Sequence, residues 1–150
     1  GFEIRRRLGD RVESRARAAA ATLPPDAVLA GLSFGAGLAC ELWHDRPATA
    51  GVLLLHGVGA MPEAPRPGTP VELHLAEPDP FEDEDWIRRW VSGAAADGAA
   101  VAVHRYPGVG HLFTDPTLPD HDAAAAASAL DRALAFLEHI ETPSLERLPR

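Results

Sequence analysis

Gly51-Val52-Leu53-Leu54-Leu55 is an unbroken apolar run inside a chain that is otherwise richly charged. A strand with one face in water alternates apolar and polar side chains. A run without alternation needs cover on both faces, which a parallel sheet between helices supplies. The rest of the sequence is consistent with that requirement, because strand-like and helix-like patterns follow one another along its length.

Phe2, Ile4, Leu8, Val12, Ala16, Ala19 and Leu23 recur at three- and four-residue steps and predict an amphipathic helix that Pro24-Pro25 stops. A strand over Ala27–Gly31 follows, then a helix from Phe34 to about His44, then the strand Gly51–Leu55. Gly57 to Pro70 is rich in Gly and Pro and reads as an irregular crossover. Beyond it the pattern predicts a strand over Val71–Leu75, a helix over Asp83–Ala96 carrying Trp86 and Trp90 on its buried stripe, and a strand over Ala100–His104. A last helix runs from about Asp120 to Ile140, with Leu130, Leu134, Phe136 and Leu137 on its inner side, and Glu141 to Arg150 reads as a frayed tail. The expected fold class is therefore α/β, a mostly parallel sheet with helices on both faces and right-handed crossovers.

At 150 residues and 46% hydrophobic, the chain has material for one core, a single domain over residues 1–140. The net charge of -8 argues against nucleic acid or an anionic membrane as partner. Arg5-Arg6-Arg7 sits among acidic neighbours and reads as a solvated helix face. Cys40 is the single cysteine, expected to be buried in its helix, and a reducing cytoplasm fits it. No apolar stretch reaches membrane-spanning length.

The chemistry concentrates at Gly31-Leu32-Ser33-Phe34-Gly35, a G-x-S-x-G that joins the first strand to the second helix. Such a turn presses strand and helix backbones together, so a side chain at Gly31 or Gly35 is expected to collide there, and the serine hydroxyl is thrown outward. In open α/β sheets the functional residues lie at the carboxyl ends of the strands. That edge collects Ser33 after the first strand, Glu77 and Asp79 after the third, and His111 after the fourth. A serine hydroxyl becomes nucleophilic when a histidine takes its proton, and a carboxylate orients that histidine. Asp79 and Glu77 are the two candidates for the acid. His56 closes the second strand and can face the pocket, His74 reads as a hydrogen-bonded core residue, and His44, His104, His121 and His139 read as surface or helix-face residues. No H-E-x-x-H and no clustered Cys/His spacing points to a metal, and no cofactor is implied.

The segments GLSFGAG, LHLAEPDPF and YPGVGHLF resemble the nucleophile, acid and histidine motifs of the dienelactone hydrolase family, within the α/β-hydrolase fold. The resemblance runs from the first helix to about Ile140. It implies Ser33 as nucleophile, Asp79 as acid, His111 as base, and the Phe34 amide as one oxyanion-hole donor, acting on a small carboxylic ester or lactone. The enzymes that give the family its name carry cysteine where this chain has Ser33, which unsettles the lactone substrate more than the hydrolytic class. The fold's earlier strands, one of which precedes a second oxyanion donor, have no counterpart after Gly1, so the chain reads as the C-terminal portion of a longer hydrolase. The competing reading is a non-catalytic binding protein on the same scaffold. Acyl group, leaving group, water or another acceptor, and oligomeric state are not specified by the residues.

Overall fold

The computed structural model describes residues 2–63 and 65–141, with side chains described for 9, 11–63 and 65–140. The Arg5-Arg6-Arg7 face and residues 142–150 of the expected tail lie outside that description. The elements follow the order α1 (Phe2–Ala20), β1 (Leu29–Leu32), α2 (Phe34–Asp45), β2 (Val52–Leu55), β3 (Pro70–Glu77), α3 (Glu84–Ala96), β4 (Ala100–Pro107) and α4 (Ala123–Glu141). The strands form a four-stranded sheet in the order β1-β2-β3-β4. Every neighbouring pair is parallel. This is the α/β arrangement that the uninterrupted Val52–Leu55 run demanded.

Strand parity divides the interior. Val71, Leu73 and Leu75 of β3 join Ala36, Ala39, Cys40 and Trp43 of α2 and Ile87, Trp90 and Ala94 of α3 in the larger core cluster. On the other face Ala76 and Tyr106 pack with Phe113 and with Ala129 of α4. Trp90 is fully buried and its indole N–H donates to the Ala60 carbonyl at 3.0 Å, which pins the Gly/Pro-rich crossover against α3. Cys40 is buried and free, and burial pushes its thiol up to about 12.

Caps explain where two helices start. The Asp83 carboxylate accepts the Trp86 N–H at 2.9 Å and heads α3. Asp122 accepts the Ala125 N–H at 2.8 Å, so α4 starts at Ala123 and not near Asp120. Strands β3 and β4 run further than expected because their pairing continues to Glu77 and Pro107. The connection from α1 to β1 is held by Arg46, whose guanidinium donates to the carbonyls of Ala20 at 2.7 Å and Leu23 at 3.4 Å, and also to that of Pro24.

Two expected stripes need correction. Along α4 the buried positions are Ala129 and Ala133, while Leu130 and Leu134 stand 59% and 50% exposed. Small side chains let this helix lie close to the sheet, and the bulkier leucines project from a different face. In α1, Ala20 is buried whereas Ala19 is exposed, so the inner line is rotated from the one expected, and Leu23 lies beyond the helix end and is exposed. Among the described residues no helix is long and apolar enough to cross a membrane.

Candidate active site

Ser33 occupies the single residue between β1 and α2, with φ 49° and ψ -110°. A non-glycine residue with positive φ is strained, and strain of this kind persists only where its surroundings enforce it. The enforcement is visible on both sides. Its N–H donates to the Leu55 carbonyl at 2.8 Å, extending the β1–β2 ladder by one step. Behind it, a Cβ on Gly31 would stand 2.1 Å from the Gly35 carbonyl oxygen, so strand and helix can approach only through glycine at 31. The matching expectation for Gly35 is not met, since a Cβ there would meet nothing within 4 Å. The close approach is one-sided: the Cβ direction at 31 points into the helix backbone, and that at 35 points away from the strand. Ser33 heads α2 without using its side chain as a cap. Its hydroxyl turns instead to His111, with Oγ 3.0 Å from Nε2.

His111 sits on the loop after β4. Gly108, at φ +73°, makes the turn out of the strand, and its N–H donates to the Glu77 carbonyl at 2.9 Å, tying this loop to the end of β3. Gly110 is needed for space: a Cβ there would lie 2.6 Å from the Asp120 carboxyl carbon. The Asp120 carboxylate accepts the Leu112 N–H at 3.2 Å, which fixes the loop just past the histidine. Nδ1 of His111 is 2.6 Å from Oδ2 of Asp79. The other Asp79 oxygen accepts the Phe81 N–H at 2.9 Å, so the carboxylate is held at both ends. Glu77, the rival acid, is the exposed last residue of β3 and stands outside this line. The structure thus brings Ser33, His111 and Asp79 into one hydrogen-bonded series.

A cleft of about 430 Å³ opens beside them, lined by Ser33, Phe81, Glu82, His111, Leu118 and Asp120 among others. The Phe81 ring lies 5.0 Å from that of His111 and is largely exposed. Glu82 had not been singled out from the sequence. Its carboxyl is pushed up to about 7, first by burial and then by the nearby Asp79 charge, against the opposing pull of His111. It lies within an acidic run, Glu82 to Asp85, in which the sequence alone gives no sign of which carboxyl turns inward.

His56 does not open on the cleft. It is fully buried, its Nε2 is 2.7 Å from the Thr114 hydroxyl, and its ring packs 6.0 Å from that of His111 and edge-on to Phe113. Burial, followed by the charge of His111, lowers it to about 4, so it packs there as a neutral ring at neutral pH. Val58 and Gly59 border a separate cleft of about 240 Å³ with Phe34, Glu41 and Trp86.

His74 is a buried hydrogen-bonded residue of β3, as expected. His104 is not a free surface residue. It is the register partner of His74 on β4 and lies against it, with Glu72 next to both. Among the described residues these three form the group whose donor atoms could hold a metal ion. The spacing Glu-x-His with a third ligand on the next strand is not a local sequence pattern, so it was invisible before the strands were paired.

Solved structures share this architecture. A dienelactone hydrolase-like promiscuous phosphotriesterase from metagenomic libraries superposes with TM-score 0.73 at 22% identity, over 93% of this chain and 66% of that one. A dienelactone hydrolase assigned in Klebsiella pneumoniae subsp. pneumoniae gives TM-score 0.61 at 18% identity, over 86% and 58%. Esterase 2 of Thermogutta terrifontis, phosphoramylated by tabun, gives 0.59 at 20% identity, over 85% and 62%. The chain therefore spans less than two thirds of the length of each. No curated protein matches it in sequence. The family match itself extends over residues 3–141, nearly all of the chain and every element of the sheet, and the chain belongs to the dienelactone hydrolase family.

Proposed function

We propose that the chain carries the reacting residues of a carboxylic-ester or lactone hydrolase. The observation that carries the reading is the unbroken series from Ser33 Oγ to His111 Nε2 at 3.0 Å and from His111 Nδ1 to Asp79 Oδ2 at 2.6 Å. In this reading Ser33 attacks the carbonyl carbon while His111 takes its proton. Asp79 orients the ring and stabilises its charged form, and the amide of Phe34, at the first residue of α2, donates to the oxyanion. His111 then protonates the leaving group, and water activated by the same ring releases the acyl group from Ser33. The held carboxylate and the strained serine are the pre-organisation that such a mechanism uses. The single cysteine, buried and free, agrees with a reducing compartment such as the cytoplasm.

An organophosphorus probe suits the test, because a structural relative was captured phosphorylated by paraoxon. The full-length protein containing this chain is expected to be labelled by a fluorophosphonate at Ser33 and to turn over a p-nitrophenyl ester. Ser33→Ala should abolish labelling, and His111→Ala should lower turnover by on the order of 10⁴-fold or more. Undiminished turnover in either variant would reject the assignment. A protein that folds and binds the ester without Ser33-dependent turnover would be the binding module instead.

A further inference from the structure

The geometry points to a binding site for a zinc-like divalent cation at Glu72, His74 and His104, on the α4 side of the sheet and apart from the Ser33 cleft. Glu72 and His74 are two residues apart on β3, so they share a face, and register places His104 of β4 directly beside His74. Glu72 Oε1 is 2.8 Å from His74 Nε2, and Glu72 Oε2 is 3.4 Å from His104 Nε2. One donor atom from each residue falls within 4.8 Å of the others. Zinc bonds of about 2.1 Å place neighbouring ligands of a tetrahedron about 3.4 Å apart. Through its two oxygens Glu72 stands at that value from His104 and about 0.6 Å short of it from His74, a gap that side-chain rotation can open to admit the ion.

The surroundings favour a cation over an empty cluster. Glu72 is 8% exposed and His74 0%, and the ion-pair partners of Glu72 among the described residues are the two imidazoles. A buried carboxylate needs a compensating positive charge. One proton satisfies Glu72 and one ring, whereas a dication satisfies all three groups together. His74 turns its Nε2 toward Glu72. The other nitrogen of His74 is 2.8 Å from the Tyr106 hydroxyl, and Arg132 lies over the Tyr106 ring with its centre 5.5 Å away. An outer hydrogen bond of this kind is how proteins fix the orientation of a ligating histidine. The His104 side chain, 26% exposed, gives an entry path and leaves room for water as fourth ligand. Glu72 and His74 lie within β3 while Asp79 follows its end, so the ion's effect is to fasten the edge strand β4 to β3. It takes no part in the chemistry proposed for Ser33.

The test is titration of the chelator-treated full chain with Co²⁺ and Zn²⁺. One equivalent of Co²⁺ should develop the intense visible absorption of a four-coordinate site, and Zn²⁺ should bleach it. Glu72→Gln and His104→Ala, each checked by circular dichroism, should weaken Zn²⁺ binding by on the order of 100-fold, and Tyr106→Phe by about 10-fold. Replacing the exposed His44 and His139 should change nothing. A wild-type Co²⁺ spectrum that stays weak and six-coordinate would overturn the proposal and leave a hydrogen-bonded cluster. Binding lost on removing His44 or His139 would overturn it as well.

Discussion

Glu82→Gln tests whether the cleft wall contains a carboxyl that is reluctant to ionise. Glu82 packs so tightly over the end of β2 that a Cβ on Gly57 would stand 2.4 Å from its Oε1. Its proton is held to about 7 in place of 4.5, mainly by burial. That difference of about 2.5 units corresponds to ~3.4 kcal/mol if nothing screens the group. Glu82 is only half-buried, so water takes up much of this and about 1 kcal/mol remains. Below the unfolded value of 4.5 both states hold the proton and the penalty is absent. Between 4.5 and about 7 the unfolded chain has released its proton while the folded chain keeps it, so stability falls as pH rises. Above that window both are ionised and the full penalty stays. Asp79 and His111 face the same carboxyl and are present in both proteins, and His56, lowered to about 4, stays neutral through most of the window. Urea unfolding at pH 4.5, 6 and 8 should therefore show Glu82→Gln gaining on the parent by about 1 kcal/mol between the lowest and highest pH. A gap between the two proteins that is flat across this range, or that closes as pH rises, refutes the account.

The other predictions concern packing. Gly31→Ala puts a methyl 2.1 Å from the Gly35 carbonyl and should cost about 3 kcal/mol or more, whereas Gly35→Ala, with open space around it, should be near neutral; equal costs in urea unfolding would contradict the one-sided contact. Trp90→Ala empties a fully buried site and strands the Ala60 carbonyl, so a loss of about 3–5 kcal/mol is expected by the same measurement. Arg46→Ala removes a guanidinium shared by three carbonyls and should cost about 1–2 kcal/mol, with faster amide exchange confined to residues 21–27 if the clamp acts locally.

Residues whose role follows from their immediate neighbours in sequence were legible before the fold. The strand–glycine–serine–helix grammar at Gly31 to Gly35 and the Val52–Leu55 run are of this kind, and Ser33, Asp79 and His111 fell on one edge because parallel strands share a direction. Other features depended on distance in space. Whether Ala129 or Leu130 faces inward depends on how closely α4 approaches the sheet, which the apolar count along a helix does not encode. The inward turn of Glu82 depends on the end of β2, more than twenty residues earlier in the chain. His104 became a neighbour of His74 only through the β3–β4 register.

Strand β3 shows why alternation and burial are separate questions. Val71-Glu72-Leu73-His74-Leu75 alternates apolar and polar side chains, the pattern of a strand with one wet face, yet both of its faces are closed. Its odd positions join the core under α2 and α3, and its even positions lie on the α4 side with Tyr106. Polar side chains shut away from water must find partners among themselves. Glu72 does so through His74 and His104, and His74 through Tyr106. The apolar parity of β3 therefore fixes the register that the polar parity needs. A slip of one residue against β4 would carry Glu72 and His74 together into the larger core and set Leu73 beside His104, parting the buried carboxylate from His104 and His74 from Tyr106. The same register pairs Glu77 with Pro107 where the two strands end, and so sets the loop that carries Asp79 beside the loop that carries His111.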